Sequence, residues 1–513
     1  MDIKNMRKQN LLKNSGASIL LKLSNIFMKF LLRTVFIYYL GKEYTGVSTL
    51  FTDILQVLSL FDLGVTNAMI FSLYKPMAEG DKHKVSALMN FYKKAYFTIG
   101  TAILIAGFAV TPFLNYIVNG APNIQEDIRI IFLFYVISTA ASYFLVYRQS
   151  LLVADQKARI VFIIDTLVVI IEGIIEVVLI MIFRSFMLYL IIHLISVIAR
   201  NVIVSQIATK QYKDLLNYTD EKLTKRDTKV MFNNVYSLGI YKVSGVLINS
   251  VDSIIISAFV GTSELAILGT YKLIINSIRQ MVESIAEASK PTIGNLSVYA
   301  TAKEQRKVFE KIDFISYWIA LFTGVCLFVL LDHFVTKIWM NSSFQLGIQT
   351  IIILVINYYI GIMVLPVEIF RTGNGLFVQG KYRPAIMATL NIVLNLVFVQ
   401  YWGIFGILLA TFLSRVTTQV WFDALLIYKL IFRKSVIEYY KIYIVRFMIF
   451  VFTATTSYFI ANIFNISNVF VDFLFKLFIT VIISNLIMIL IYRKDERFLY
   501  LKTTLLNIFK NKK

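Results

Sequence analysis

The sequence is poor in the residues that build disulfide frameworks and metal centres. It has one cysteine, Cys326, and three widely separated histidines, His83, His193 and His333. Disulfides need cysteine pairs, and a metal centre needs several ligands that come together in the fold. We therefore expect neither a disulfide nor a metal-ligand cluster.

Motifs of nucleotide-binding and hydrolytic enzymes are also absent. The sequence contains no Walker A phosphate loop, no H-E-x-x-H zinc motif and no G-x-S-x-G nucleophile motif. We predict that the protein is not an enzyme, has no cofactor and does not itself hydrolyse a nucleotide. A separate ATPase subunit is compatible with the sequence.

Polar residues are scarce, since 58% of the 513 residues are hydrophobic and the mean hydropathy is +0.72. This composition excludes an ordinary soluble domain and indicates a polytopic membrane protein. A formal net charge of +21 suggests nucleic acid at first sight. However, the basic residues cluster in short connections between apolar segments, so we expect membrane lipids and no nucleic acid as partners.

The apolar segments predict an all-α membrane protein. A helix that spans a bilayer needs about 20 mostly apolar residues. Fourteen segments meet this requirement, and we number them as spans 1 to 14: 15–40, 46–74, 88–115, 128–150, 160–182, 186–208, 233–261, 264–289, 312–333, 346–370, 385–401, 403–428, 442–462 and 470–492.

The connections between these spans alternate in charge. One side carries most of the basic residues, including the clusters at 4–13, 75–84, 210–229 and 290–311. The opposite side has only Lys42, Arg129, Arg184 and Lys337. Because basic loops stay in the cytoplasm, we predict a multi-pass protein of the cytoplasmic membrane with both termini inside.

Weak internal similarity indicates a duplication. L-K-L-S at 21–24 resembles Y-K-V-S at 241–244, and a glycine follows each lysine at the same distance, Gly41 and Gly261. Transporters are often built from such repeats. We predict an N-lobe at 1–208 (spans 1–6), a cytoplasmic linker at 209–232 and a C-lobe at 233–428 (spans 7–12). Spans 13 and 14 and a basic tail occupy 429–513.

Charged residues follow one face of span 1 and one face of span 5. Span 1 carries Lys22, Lys29 and Arg33, and span 5 carries Asp165, Glu172 and Glu176 at the same spacing. If the two helices are neighbours, we expect the pairs Lys22–Asp165, Lys29–Glu172 and Arg33–Glu176. Two interpretations stay open: a structural ion ladder, or a hydrated wall that opens when a ligand or proton arrives.

The second half has comparable charges. Span 7 carries Lys242 and Asp252, and span 8 carries Lys272, Arg279 and Glu283 on one face. Arg279 and Glu283 are spaced to satisfy each other, whereas Lys272 has no partner on its own helix and is the better candidate for a ligand contact. Asp62 on span 2 is a further acid, and we attribute Arg200 and Arg415 to snorkelling at helix ends.

Several longer motifs resemble a known family. L-F-D-L-G-V-T-N-A-M-I-F-S-L-Y-K-P-M-A-E-G-D at 60–81, V-D-S-I-I-I-S-A-F-V-G at 251–261 and G-L-F-V-Q-G-K-Y-R-P at 375–384 are similar to segments of bacterial polysaccharide flippases. The chain thus resembles the Wzx-type branch (capsule, exopolysaccharide and O-antigen) of the MOP, or MATE-like, exporter superfamily. The resemblance implies two pseudo-symmetric six-helix lobes around a central cavity, with an extra helix pair beside them.

The resemblance also implies the substrate, an oligosaccharide repeat unit on undecaprenyl diphosphate. Cations on the cavity wall suit a diphosphate, and the candidates are Lys22, Lys29, Arg33, Lys242, Lys272 and Arg279. Candidate coupling or charge-pairing acids are Asp62, Asp165, Glu172, Glu176, Asp252 and Glu283. In drug-exporting relatives, acids on the first and fifth helices bind the coupling cation. This chain has bases on span 1 and departs from that pattern, so the relatives' coupling site does not carry over directly; the candidate coupling ions are H⁺ and Na⁺.

The leading hypothesis is a flippase for lipid-linked oligosaccharides that works by alternating access, with a polysaccharide polymerase and glycosyltransferases as partners. A peptidoglycan-precursor flippase is the nearest alternative, because it has the same helix count and a cationic cavity. A multidrug or cation antiporter would prefer an acidic cavity. A membrane-embedded polymerase is expected to have a large external loop, which this sequence lacks.

Overall fold

In the bilayer core, backbone N–H and C=O groups find no water, so an apolar chain satisfies them within helices. The computed structural model of the protein describes residues 3–62, 65–119, 122–216, 221–376, 379–464 and 466–510. All regular secondary structure in these ranges is helical. The predicted all-α fold class is confirmed.

By internal contacts the chain divides into two compact units, Met1–Ala266 and Ile267–Lys513. The α-helices of the first unit are α1 (Ile3–Val35), α2 (Lys42–Leu58), α3 (Val65–Glu79), α4 (Lys82–Val110), α5 (Leu114–Ile117), α6 (Ile128–Tyr143), α7 (Gln149–Ala154), α8 (Ala158–Phe183), α9 (Phe186–Gln211), α10 (Lys213–Leu216) and α11 (Lys225–Phe259). The lobe boundaries given above stay a prediction.

Helix α12 (Thr262–Tyr299) begins at the end of the first unit and continues into the second. The second unit then contains α13 (Ala302–His333), α14 (Ile348–Met363), α15 (Leu365–Gly373), α16 (Arg383–Arg415), α17 (Trp421–Ile427), α18 (Ile437–Ala461), α19 (Val469–Tyr492) and α20 (Glu496–Lys510).

Among the described residues, ten helical segments are long and apolar enough to cross a membrane. Adjacent helices merge or are interrupted by short π and 3₁₀ turns, as between α1 and α2 and after α16. The protein is a multi-pass membrane protein, and the count of fourteen spans stays a prediction.

Helices α1 and α8, which contain spans 1 and 5, pack against each other. The contact is close where Gly173 of α8 faces the Met28 side chain of α1, because a Cβ at Gly173 would overlap the methionine methyl. Spans 1 and 5 are therefore neighbours, which is the condition on which the predicted ion pairs depended.

Helix α2 packs along α11 within the first unit. Near one end, Gly46 lies against the Thr262 backbone; farther along, Ser250 donates to Gln56 at 3.1 Å. At the other end, Lys242 pairs with Asp62 at 2.5 Å. These contacts hold α2 and the turn that follows it against α11 and the start of α12.

The two glycines that marked the duplication have related conformations. Gly41 precedes α2 with φ of 97°, and Gly261 precedes α12 with φ of 135°. Side chains with a Cβ rarely adopt these angles, so glycine suits both turns. The matched turns agree with the similarity between the segments around Lys22 and Lys242.

In the second unit, α18 and α19, which contain spans 13 and 14, pack against α13. The centre of this contact is an ion pair between Arg446 of α18 and Asp313 of α13, both of which are buried. Tyr317 stacks on Arg446 with the guanidinium carbon 4.8 Å from the ring centroid. Breaking a buried pair of this kind leaves an uncompensated charge, so α13 and α18 form one structural block.

Candidate functional site

An acidic cluster with a histidine lies between α8 and α9 of the first unit. The Nδ1 atom of His193 is 2.7 Å from a carboxylate oxygen of Glu172. Glu176 lies one helical turn from Glu172 and is only 2% exposed. One ligand atom from each of the three side chains lies within 4.8 Å of the other two. The histidine spacing in the sequence does not predict this convergence of three possible ligands, while the absence of a bound metal stays a prediction.

Hydroxyl groups extend the acidic cluster. The Ser48 and Tyr135 oxygens are 2.6 Å apart, and Tyr135 also hydrogen-bonds to Tyr189. The Tyr189 ring stacks on the His193 ring with an interplanar angle of 13°. The cluster thus combines three potential cation ligands with hydroxyl-bearing side chains nearby.

The predicted ion pairs between spans 1 and 5 do not form. Asp165 accepts two hydrogen bonds from Arg200 of α9, the shorter at 2.7 Å, and Glu172 binds His193. Both acids therefore turn from α1 toward α9. The pairing of Lys22 with Asp165, Lys29 with Glu172 and Arg33 with Glu176 is wrong, and so is the interpretation of Arg200 as a snorkelling residue.

Consequently, two cations of α1 lack a neutralising acid. Lys29 is exposed on the first unit and Arg33 is half-buried, and neither makes a hydrogen bond or ion pair with any residue that the structure describes. Lys22 is half-buried and takes part in a contact. Lys242 is neutralised by Asp62, whereas Asp252 is buried deeper in α11.

In the second unit, α12 carries the predicted stripe. Arg279 donates to Glu283 at 2.6 Å, so the expected pair is present. Lys272 is half-buried and has no hydrogen-bonding or ionic partner within the described ranges. Two turns separate Lys272 from Arg279, which places both cations on one side of the helix.

A second arginine approaches Arg279 over Gly361 of α14. A Cβ added at Gly361 would lie 3.3 Å from an Nη atom of Arg415 and 3.6 Å from one of Arg279. Arg415 is held there by a hydrogen bond to the Asn357 carbonyl at 3.1 Å. The absence of a side chain at Gly361 gives two guanidinium groups room to converge, and snorkelling does not describe Arg415.

These groups have complementary chemistry. Cations on apolar helices with few neutralising acids attract an anion, and paired guanidinium groups suit phosphate oxygens. The acidic cluster can instead hold a proton or a cation. Sequence reasoning missed His193 and Arg415, and the available signal was their position as ionisable residues within apolar spans.

The described residues define a helical membrane protein with a MATE-like fold. A family model described as polysaccharide biosynthesis protein matches residues 11–297, more than half of the chain. The chain belongs to the polysaccharide biosynthesis protein family, and the predicted resemblance is confirmed at the level of that family. No curated protein matches the sequence significantly.

Solved structures with the same fold include the lipid II flippase MurJ in an inward closed conformation. It matches with a TM-score of 0.66 and 15% identity over 93% of this chain and 99% of MurJ. An inward-facing multidrug resistance MATE transporter matches with a TM-score of 0.60 and 12% identity, covering 77% of this chain and 93% of the transporter.

A mutant of the Vibrio cholerae MATE transporter VcmN matches with a TM-score of 0.57 and 14% identity, covering 84% of this chain and 99% of VcmN. At these identities the likeness establishes the fold and not the substrate.

Proposed function

We propose that the protein moves an undecaprenyl-diphosphate-linked oligosaccharide across the cytoplasmic membrane for the synthesis of a surface polysaccharide. The lipid diphosphate would be held by cations on apolar helices during alternating access. In this proposal the protein is a transporter and not an enzyme, both termini are cytoplasmic, and a polymerase and glycosyltransferases act before and after it.

The observation that carries the proposal is the unbalanced positive charge on apolar helices. Lys29 and Arg33 of α1 and Lys272 of α12 have no acidic partner among the described residues, and Arg279 and Arg415 converge over Gly361. Keeping such cations at bilayer depth is costly, so they are expected to serve a ligand. A diphosphate offers several negative oxygens to such groups.

The substrate class draws support from the family. Polysaccharide synthesis requires sugar units that were assembled on a lipid carrier to cross the membrane, and MurJ, which has the same fold, is a flippase for lipid II. We therefore propose a sugar-bearing lipid as the substrate of this chain, because it agrees both with the family and with the cationic groups.

The acidic cluster supplies a site for the coupling ion in this proposal. Glu172, Glu176 and His193 can take up H⁺ or Na⁺, and a change in their charge would be felt by α1, which packs against α8. In this proposal, release of the cation from the cluster would be coupled to movement of the lipid across the membrane.

A peptidoglycan-precursor flippase is the second candidate. It is favoured by the likeness to MurJ, which covers 93% of this chain. Both candidates use a polyprenyl diphosphate, so the cationic groups do not distinguish them. The two candidate substrates differ in the head group attached to the diphosphate, so an experiment must compare those head groups.

The direct test is a flipping assay with purified protein in liposomes. A fluorescent oligosaccharide on a short polyprenyl diphosphate is incorporated, and an added glycosidase reports how much lipid reaches the outer leaflet. We expect Lys272→Ala to slow flipping at least about tenfold, the loss expected for one charged contact that is largely desolvated. Lys272→Arg should keep part of the activity because it keeps the charge.

Lys303→Ala is the matched control, because Lys303 is exposed in the same unit and should not affect the rate. A wild-type rate for Lys272→Ala would place the diphosphate site elsewhere. Competition by unlabelled lipids separates the two candidates, since stronger competition by the peptidoglycan precursor than by the oligosaccharide lipid would favour the second.

A further inference from the structure

The contact between α2 and α11 joins the two halves of the predicted duplication. Helix α2 lies in the first repeat and α11 in the second, and both belong to the first compact unit. Gly46 meets Thr262 at one end of the contact, and Asp62 meets Lys242 at the other. Gly46 and Asp62 are about 24 Å apart along the chain, at a rise of about 1.5 Å per residue. The two ends therefore lie near opposite faces of a hydrocarbon core that is about 30 Å thick.

The end at Gly46 is tightly packed. A Cβ at Gly46 would overlap the carbonyl oxygen of Thr262, so the two backbones touch. The Glu43 carboxylate also accepts hydrogen bonds from the Thr262 hydroxyl at 2.9 Å and from the Ser263 hydroxyl. Separating the helices here would break backbone packing and two hydrogen bonds at once. We call this region, formed by Glu43, Gly46, Thr262 and Ser263, the packed end.

The opposite end is joined by an ion pair. The Lys242 Nζ atom is 2.5 Å from a carboxylate oxygen of Asp62. The Asp62 side chain is 9% exposed, whereas that of Lys242 is 32% exposed. A lysine has a long flexible stem, so its ammonium group can move toward water while the aspartate stays in place. This end can therefore separate more readily than the packed end.

Two buried serines of α11 lie between the two ends. Ser250 and Ser257 are both fully buried, and their spacing of two helical turns places them on nearly the same side of the helix. Ser250 donates to the Gln56 side chain of α2 at 3.1 Å and is the nearer of the two to Lys242. Ser257 lies closer to the packed end. The exposure of these two positions would thus report separately on the two ends of the contact.

We propose that the Asp62–Lys242 pair is a releasable latch between the two repeats. When the pair is formed, it holds α2 against α11 at the predicted cytoplasmic end. When the lysine withdraws, that end separates and the packed end serves as the pivot. Local openings of this kind have their own free energy, which is smaller than that of global unfolding.

The role of the latch rests on the proposed function, because alternating access requires the two ends of the protein to open in turn. Opening of the latch itself is measured without any substrate. A protein that opens at this end but does not flip the lipid would contradict the proposed function alone. A protein that flips the lipid while this end stays closed would contradict the latch alone.

The test is the rate at which a charged methanethiosulfonate reagent modifies Ser250→Cys in the purified full-length protein. Cys326→Ser removes the native thiol, and detergent gives the reagent access from both sides. We expect slow modification that Asp62→Asn accelerates about tenfold, as for a pair between the exposed and buried extremes. Lys242→Met should have the same effect. The swap of Asp62→Lys with Lys242→Asp should return the rate most of the way to that of the parent protein.

Two controls separate a latch from general loosening of the fold. Ser257→Cys, which reports on the packed end, should stay unreactive in every variant. Glu79→Gln removes the carboxylate of the exposed Lys75–Glu79 pair of α3 and should leave the rate at Ser250→Cys unchanged. An unchanged rate in both Asp62→Asn and Lys242→Met would overturn the proposal. Equal acceleration at Ser250→Cys and Ser257→Cys, or an equal effect of Glu79→Gln, would overturn it as well.

Discussion

At the scale of single residues, the acidic cluster contains both repulsive and attractive charge interactions, and one bound ion can change their sum. Glu172 and Glu176 are close, and Glu176 is buried, so two negative charges there repel each other with little screening by water. His193 offsets part of this repulsion through its contact with Glu172. A bound proton or cation removes more of it, which suits a site that alternates between occupied and empty.

This balance predicts the behaviour of Glu176→Gln. The substitution keeps the shape of the side chain but removes one carboxylate, so the cluster should no longer respond to a cation. In the wild type, we expect an imposed pH or Na⁺ gradient to accelerate flipping. In Glu176→Gln, the flipping rate with the gradient should equal the rate without it. Glu126→Gln, which alters only a carboxylate bound to Tyr44, is the control. A preserved response in Glu176→Gln would separate the cluster from coupling.

The Asp165–Arg200 pair gives a second prediction. Both side chains are about one-fifth exposed, so either charge left alone should destabilise the protein by about 1–3 kcal/mol, between the values for surface and buried pairs. We expect Asp165→Arg and Arg200→Asp each to lower the thermal unfolding temperature, and the double swap to recover most of it. Additive losses would show that the two residues are not coupled.

The same residues show how far the sequence determines the site. Helical spacing placed Asp165, Glu172 and Glu176 on one face of α8, and α1 does pack against α8. It could not say which side chains meet, because a face about a third of a helix wide touches two neighbouring helices. Arg200 and His193 of α9 reach these acids, and sequence spacing within one helix contains no information about that partner.

At the scale of helices, α2 approaches the start of α12 so closely that only glycine fits. A Cβ at Gly46 would overlap the carbonyl of Thr262, and the same turn is fastened by hydrogen bonds from Thr262 and Ser263 to Glu43. Backbone cannot move aside as a flexible side chain can. The contact therefore depends on the missing side chain at Gly46.

Gly46→Ala should accordingly destabilise the protein by about 1–3 kcal/mol, as overpacking does. Gly245→Ala is the matched control, because Gly245 lies within α11 with open space around its Cα. Alanine in a helix is favoured over glycine, so Gly245→Ala should stabilise by about 0.5–1 kcal/mol. Thermal unfolding of both variants in the same detergent shows whether each substitution stabilises or destabilises the protein. Equal changes in the unfolding temperature would show that the close contact at Gly46 is absent.

The sequence predicted where the long helices lie, but it did not predict where they are interrupted. Apolar segments such as 160–182 and 442–462 correspond to α8 and α18, because a long apolar run has no other stable form in a bilayer. The left-handed residue Leu145, which follows α6 inside predicted span 4, has no sequence signal of its own. Tertiary packing sets such breaks.

At the scale of the whole molecule, the distribution of basic residues predicts orientation. Exposed positions on both sides can be tested with cysteines in a Cys326→Ser background, because Cys326 is the single native thiol. Gly120, another predicted external position, lies outside the described residues. Ser343, Lys82 and Thr224 are described and exposed, so they are suitable sites.

We expect Ser343→Cys to react with an impermeant maleimide in intact cells, because it follows Lys337 on the side with few basic residues. Lys82→Cys and Thr224→Cys lie in basic connections and should react only after the membrane is permeabilised. Lys82 is preferable to the adjacent Gly80, whose φ of 71° disfavours any side chain with a Cβ. The permeabilised samples show that each thiol is reactive. Labelling of Lys82→Cys in intact cells, with Ser343→Cys protected, would reverse the predicted orientation.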